Sequence, residues 1–333
     1  MKTKTLNFLR CIHPLTDSEY CDSELKQRDE LTLICKRCGA EYSLRGGIPR
    51  LIHSNISENP YLKEEMIGAY YEMQFAPYIL TGESQDRLSY PQSEIVTRSF
   101  EKNFYQSVTH LMGKQNLTED FYQSLLELVR QEKLVTPNTT VLDIGCGLGR
   151  MTTEMARFDD VDYAIGLDSS AFMIEEATKL ANSQQSQIPI KLNLVGGKTT
   201  SAKIGLDWTV DNCDFMVGDA QQLALQEGAF DLVLCLNVID RVPNPTKVIE
   251  QIFRVLKSGG YLIITDPYDW ENSPITREYW ITDMAEFFSH NSKWQQVQEV
   301  DGIPFVMRST SRQIVAYMNH CLIYRKITEE TQS

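Results

Sequence analysis

The chain has 333 residues, 42% of them hydrophobic and 23% charged, a composition that excludes a disordered tail protein, a collagen-like fibre and a bundle of membrane spans and allows about two domains. Lysine and arginine number 32 against 45 aspartates and glutamates, for a formal net charge of −13, which argues against a broad surface for nucleic acid or anionic membrane. With no apolar run of spanning length and no secretory pattern in MKTKTLNFLRCIHP, the expected setting is the cytoplasm and the expected partner a small molecule.

Residues 1–55 hold short strand-like pieces (LTLIC, YSL) and turns (CGAE, RGGIP), with too few apolar residues to fold on a core of their own. A staple is expected. Cys35-Lys36-Arg37-Cys38-Gly39 has the knuckle form in which two thiolates approach one tetrahedral zinc, and Cys11 and Cys21 complete four ligands, with His13 as a competitor. Four protein ligands leave no open position for water, so the zinc is read as structural, and replacing Cys35 is expected to unfold this module alone. The other cysteines, Cys146, Cys213, Cys235 and Cys321, lie singly in apolar or glycine-rich segments and read as reduced core thiols.

Over residues 56–135 apolar positions recur at helical spacing in three runs, NPYLKEEMIGAYYEMQF, SEIVTRSFEKNFYQSVTHLM and LTEDFYQSLLELVRQEKL, which predicts a helical linker and cap. From 136 to 329 strands and helices alternate: TVLDIG, a helix near 150–158, YAIGLD, a helix near 170–182, a hairpin about Gly196-Gly197, then CDFMVGD, FDLVLCLN, a helix near 245–257 and YLIITD. A helical 276–290 follows, and IPFVMR and CLIYRK read as an antiparallel pair at the sheet edge. This alternation predicts an α/β fold with a mostly parallel sheet and helices on both faces.

Chemistry concentrates at the strand ends. Val141-Leu142-Asp143-Ile144-Gly145-Cys146-Gly147-Leu148-Gly149 is a buried strand running into a glycine turn that opens a helix, where a ligand lies against main chain without meeting a Cβ. Arg150 stands where the dinucleotide fingerprint needs its third glycine, so a nicotinamide enzyme is disfavoured. Asp168 ends the next strand, where a carboxylate accepts the hydroxyls of an adenosine ribose, and Asp219 ends the one after, within reach of an adenine amino group. His53, His110, His290 and His320 are scattered and read as surface or packing residues.

This run resembles the class I S-adenosylmethionine-dependent methyltransferases, as do Phe230-Asp231-Leu232-Val233-Leu234 and Arg254-Val255-Leu256-Lys257-Ser258-Gly259-Gly260. The resemblance implies a Rossmann-like seven-stranded mostly parallel sheet that binds the cofactor with Asp143, Gly145, Cys146, Gly147, Gly149 and Ser169 among its contacts, Gly145 and Gly147 meeting the methionine part. Asp168 would then meet the ribose, Asp219 and Ala220 the adenine, and Asn237 the cofactor's edge nearest the substrate. A narrower likeness, to the mercaptohistidine N-methyltransferases, rests on Asn59-Pro60-Tyr61, Asn237-Val238-Ile239-Asp240-Arg241-Val242-Pro243, Asp266-Pro267-Tyr268-Asp269-Trp270, Thr276-Arg277-Glu278-Tyr279-Trp280 and Pro304-Phe305-Val306-Met307-Arg308.

That likeness implies N-methylation of a small amino-acid-derived molecule, with Asp240, Tyr268 and Asn237 as catalytic residues and Tyr70, Gln74, Arg241, Trp270 and Arg277 around the acceptor. The chain departs from the pattern at Leu62, Lys63, Gln74, Phe75, Ile281 and Thr282, so a guanidine or primary amine is an acceptor alongside imidazole. The cysteine module resembles the zinc ribbon of the small activator subunit of tRNA and protein methyltransferases, which makes a tRNA or protein methyltransferase the competing reading. A non-enzymatic binding protein on the same fold is a third.

Overall fold

The computed structural model describes residues 1–16, 19–52, 67–75, 78–81, 86–87, 121–183, 187–193, 198–206, 208–273, 275–310 and 313–327. Strands β7 (Thr139–Ile144) and β11 (Cys213–Gly218) are buried at every position, as strands covered on both faces must be. β7 lies between β8 (Val161–Asp168) and β12 (Phe230–Leu236), with β11 beyond β8 and β13 (Leu256–Asp266) beyond β12, all parallel. The chain therefore switches sides of the sheet at β7, and such a switch opens a crevice at the carboxyl ends of the strands.

Helices α3 (Phe121–Gln131), α4 (Arg150–Ala156) and α5 (Ala171–Ala181) pack on one face of this sheet. On the other lie α6 (Pro245–Val255) and α7 (Met284–Ser289). α6 shows why such segments fold: Asn244 caps it by accepting from the Lys247 N–H, Pro245 opens it, and Val248, Ile249, Ile252 and Val255 fall on one buried stripe. The predicted helix over 276–290 is broken, with one turn at Arg277–Tyr279 and then α7. Asp283 starts α7 afresh by accepting from the Glu286 N–H, leaving Trp280-Ile281-Thr282 outside either helix. The expected antiparallel edge pair is present as β14 (Trp294–Thr310) and β15 (Gln313–Lys326), with β15 against β13.

Among the described residues the sheet has eleven strands where seven were expected. The four extra ones are β1 (Leu25–Asp29), β2 (Thr32–Cys35), β3 (Glu41–Arg45) and β4 (Ile48–Leu51), an antiparallel set whose last member pairs in parallel with β11 through Arg50 opposite Val217 and Leu51 opposite Gly218. The parallel sheet would otherwise end at β11 with an open edge, and adding strands there covers it. Helix α1 (Thr3–Phe8) strengthens the join, since the Lys2 N–H and the Thr5 hydroxyl both donate to Asp214 Oδ2 at 2.7 Å. Leu9, Ile12, Leu25, Leu33 and Leu51 enter the same apolar core as Leu142, Leu167 and Leu225.

Within this module the thiols of Cys11, Cys21, Cys35 and Cys38 lie within 4.8 Å of one another. The Cys11–Cys38 and Cys21–Cys35 sulfurs are 3.6 Å apart, close to the roughly 3.8 Å that four sulfurs about 2.3 Å from a tetrahedral ion would keep. His13 is outside the cluster and meets it through its backbone, with its N–H donating to Cys11 Sγ at 3.4 Å and its carbonyl accepting from the Cys21 N–H at 2.9 Å. Burial raises the Cys35 thiol, but the Cys38 and Arg37 amides that donate to its sulfur outweigh this and bring it to about 6.

The linker and cap contain strand as well as helix. α2 (Ile67–Phe75) and α3 come from the first and third helical runs; residues 53–66 and 88–120, with Asn59, Leu62, Lys63 and the whole second run, lie outside the described residues. β5 (Ile79–Thr81) and β6 (Asp86–Arg87) join β9 (Gln187–Asn193) and β10 (Thr199–Gly205) in a second sheet of order β6-β5-β10-β9. β9 and β10 pair antiparallel, as a hairpin requires, with Gly196 and Gly197 outside the described residues. Tyr71, Phe75, Ile79, Ile188 and Ile204 bury against Leu148, Met173 and Leu180, which seats this cap on the glycine-loop side of the main sheet. No described helix is long and apolar enough to cross a membrane.

A module that shares its sheet and core cannot melt by itself. Cys35→Ser is expected to lower the temperature of the main calorimetric transition of the whole chain; a main transition at the wild-type temperature would restore the view of an independent module.

Candidate functional site

Beyond Ile144 the backbone of Gly145, Gly147 and Gly149 takes φ of 71°, 56° and 76°, a region open to glycine and costly for other residues. Space is as short as the torsions are special. A Cβ on Gly145 would come within 2.4 Å of Val238 Cγ2, and one on Gly147 within 2.4 Å of Gln74 Nε2. The loop is thus held between the segment after β12 and helix α2. Asp168 accepts from the Gly147 N–H at 3.1 Å and from the Ser170 N–H at 2.8 Å, so one carboxylate pins the loop and opens α5, with Ser169 between. Burial raises the pKa of Asp168 against these hydrogen bonds.

Asp143 and Cys146 are buried and support the loop from beneath. Asp143 accepts from Thr152 Oγ1 at 2.6 Å, and burial pushes it up to about 7, opposed by Thr152 and aided by the charge of Asp168. Asp219 follows β11 and accepts from the Gln221 N–H at 2.8 Å, with Ala220 buried beside it. This third loop is bound to the cysteine module: Arg10 N–H donates to Ala224 O at 2.9 Å, Gln226 N–H to Phe8 O at 2.8 Å and Gln222 Nε2 to Ile12 O at 3.3 Å.

Helix α2 roofs the glycine loop. Gln74 Nε2 donates to Cys146 O at 3.3 Å while its buried Oε1 has no partner. The Tyr70 hydroxyl is raised to about 12 by burial and by the charge of Asp168, with Arg241 opposing, which sets it near both groups. Asn237, at φ 57°, donates its N–H to Thr265 O at 2.9 Å and accepts from Thr265 Oγ1 at 2.7 Å, leaving its buried Nδ2 without a partner. Arg241 ties the two carboxyl-edge loops together, with Nη2 2.6 Å from Asp269 and 3.3 Å from Asp240. The Tyr317 hydroxyl donates to the same Asp269 at 3.1 Å. Asp240 is fully buried and neither of its oxygens takes a hydrogen bond; burial lifts it to about 6 against the pull of Arg241.

Tyr268, Trp270 and Arg277 are not brought to this wall. Side chains alternate along a strand, and Asp266 pairs with His320 while Thr265 pairs with Cys321, so Asp266 and His320 share the α6/α7 face and Thr265 the opposite one. Tyr268 follows Asp266 to that face: its hydroxyl lies 2.8 Å from His320 Nδ1 and accepts from the Met284 N–H at 3.2 Å. His320 in turn meets Glu299 at 2.9 Å, so this histidine anchors a loop. Trp270 is in the core, stacked on Trp280, and exposed Arg277 lies over Trp280 at 5.7 Å. The residues that stand in the wall instead, Thr265 and Tyr317, were open to discovery from the period-2 pattern of YLIITD and AYMNHCLIY, which puts them on one face.

Because Asp143 titrates near 7 in the folded chain against an ordinary 3.8, its neutral form favours folding. That contribution is complete below pH 4 and is lost as pH rises through 7. Asp143→Asn keeps an acceptor for Thr152, so the melting temperature of the wild type relative to this variant is expected to fall between pH 4 and 8. A difference that stays constant across that range would contradict the assignment.

Residues 142–264 match a family model described as methyltransferase domain. Among curated proteins the chain is 28% identical over 162 residues to sterol 24-C-methyltransferase of Aspergillus fumigatus, covering 46% of this chain and 37% of that protein. It is 32% identical over 143 residues to sterol 24-C-methyltransferase of Saccharomyces cerevisiae, covering 41% and 31%. The chain spans about a third of the length of these relatives. A solved S-adenosylmethionine-dependent methyltransferase from Methanosarcina mazei aligns over 60% of this chain and 98% of its own at 18% identity, with a TM-score of 0.42. The match to a methyltransferase domain thus runs from β7 to β13, over residues 142–264.

Proposed function

We propose that the protein moves a methyl group from S-adenosylmethionine to a nitrogen of a small amino-acid-derived molecule, an imidazole, guanidine or amine. The observation that carries this reading is a set of buried polar atoms at the carboxyl edge that have no hydrogen-bond partner among the described residues: Gln74 Oε1, Asn237 Nδ2 and Asp240 Oδ1, with Asp240 Oδ2 held only by the ion pair to Arg241. Each such atom costs roughly 1–3 kcal/mol while unpaired, and a polar ligand removes that cost. The sterol C-methyltransferases among the relatives are named for an acceptor that is mostly hydrocarbon, which would leave these groups unpaired. The likeness to mercaptohistidine N-methyltransferases supports the same choice.

The residues present fit the cofactor. A loop in which a Cβ on Gly147 would strike Gln74 can take the methionine part against bare backbone, Asp168 has carboxylate oxygens at a strand end for the ribose hydroxyls, and Asp219 and Ala220 border the adenine side. When bound, S-adenosylmethionine supplies an electrophilic methyl group on a sulfonium. The protein's share of the work is to aim a neutral nitrogen lone pair at that group and to exclude water. Tyr70 and Gln74 on α2 close the top, and Arg241, held by Asp269 and Asp240, fixes the two loops below. Asp240, raised to about 6, is suited to receive the proton that the nitrogen sheds. The four cysteines hold one structural zinc ion in this reading, and four protein ligands leave no open position on it for chemistry.

Incubation with labelled S-adenosylmethionine and pooled amino-acid metabolites is expected to yield an N-methylated product by mass spectrometry; label on carbon, carboxylate or a tRNA base would refute the proposal. Asp168→Ala is expected to weaken S-adenosylmethionine binding by roughly 1–3 kcal/mol in calorimetry, the cost of leaving the ribose hydroxyls unpaired. Unchanged affinity would remove Asp168 from the site.

A further inference from the structure

Strand β15 carries a residue that none of these roles uses. Asn319 is 0% exposed, and among the described residues neither its Oδ1 nor its Nδ2 has a hydrogen-bond partner. Buried carboxamides are almost always paired, because an unpaired one keeps its full desolvation penalty. The strand register shows what it faces. Thr265 lies opposite Cys321 and Ile303 opposite Asn319, so by alternation Tyr317, Asn319 and Cys321 share the face of Thr265. On that face Thr265 holds Asn237, whose Nδ2 is also unpaired, and Tyr317 holds Asp269, the partner of Arg241. Asn319 stands between these two groups along β15, beside the carboxyl end of β13.

We propose that Asn319 binds the methyl acceptor and selects a zwitterionic amino-acid head, its Oδ1 accepting from the ammonium and its Nδ2 donating to the carboxylate. This deepens the reading given under the proposed function and rests on it. A carboxamide offers one acceptor and one donor group side by side. A bare cation would satisfy only the oxygen, a bare carboxylate only the nitrogen, and a hydrocarbon neither. The carboxyl edge carries both signs as well, with Arg241 ion-paired to Asp269 and Asp240 and the Asn237 amide unpaired. A head group of no net charge fits a wall whose charges are already partly matched.

The test is calorimetry in the presence of S-adenosylhomocysteine, with L-histidine against histamine and L-arginine against agmatine as probes, on the wild type and on Asn319→Leu. In the wild type at least one amino acid is expected to bind ten times or more tighter than its decarboxylated amine, and in Asn319→Leu that preference disappears. Affinity for S-adenosylhomocysteine stays within twofold, and the melting temperature holds or rises, because leucine replaces an unpaired amide with an apolar side chain of similar size. A lower melting temperature with weaker S-adenosylhomocysteine binding would show Asn319 to be structural and overturn the proposal. So would a wild type that binds S-adenosylhomocysteine yet prefers no amino acid over its amine, or a preference that survives in Asn319→Leu. Those results leave nitrogen methylation standing, whereas failure of that broader reading is seen in the labelled product itself.

Discussion

The site depends on one carboxylate. Asp168 accepts from an amide of the glycine loop and from the amide that opens α5, so it fixes the relative positions of β7, β8 and the helices that follow each of them. Parallel pairing delivers those strand ends to the same edge, but pairing alone leaves the loop free to move, and a glycine-rich loop has the most freedom to lose. The Asp168 clamp removes that freedom before any ligand arrives. Asp143 underneath, held by Thr152, keeps α4 in register with the same loop.

A second constraint acts at the far side of the crevice. β11 would be an edge strand, and edges invite unwanted pairing. Here β4 takes that place, ending with Leu51 opposite Gly218, one residue before Asp219. The loop that bears Asp219 and Ala220 is then sewn to residues 8–12 by three hydrogen bonds, next to Cys11. The cysteine cluster therefore stands beside the backbone bonds that hold the Asp219 loop, which gives a small cysteine module a reason to be fused to this fold. Metal-linked folding of such a module would pass directly to the third wall of the site.

Much of this was legible in the sequence where a residue type is demanded by backbone geometry or by ligand count. Gly145, Gly147 and Gly149 with Asp168 and Asp219 announced the crevice, because few other arrangements need those residues at those strand ends, and Cys35 and Cys38 announced the cluster. The sheet count was not legible, since nothing in IPRL marks it as the strand that joins β11 rather than closing a separate module. Tyr268 and Trp270 were placed in the pocket because they follow a strand at the correct edge, but the turn after β13, with Tyr268 at φ 56°, takes Tyr268 to His320 on the opposite face, and Trp270 is packed into the core there. Asn319 was passed over because its signal is the lack of a partner, which only three-dimensional packing reveals.

The central claim is that the polar wall formed by Asn237, Asp240, Arg241 and Asn319 receives a polar nitrogen acceptor. Carbon NMR of the product formed from S-adenosylmethionine labelled with carbon-13 in its methyl group tests this most directly. The account predicts that the labelled carbon is bonded to nitrogen in a small water-soluble molecule. A labelled methyl bonded to carbon in a lipid-soluble product would contradict it.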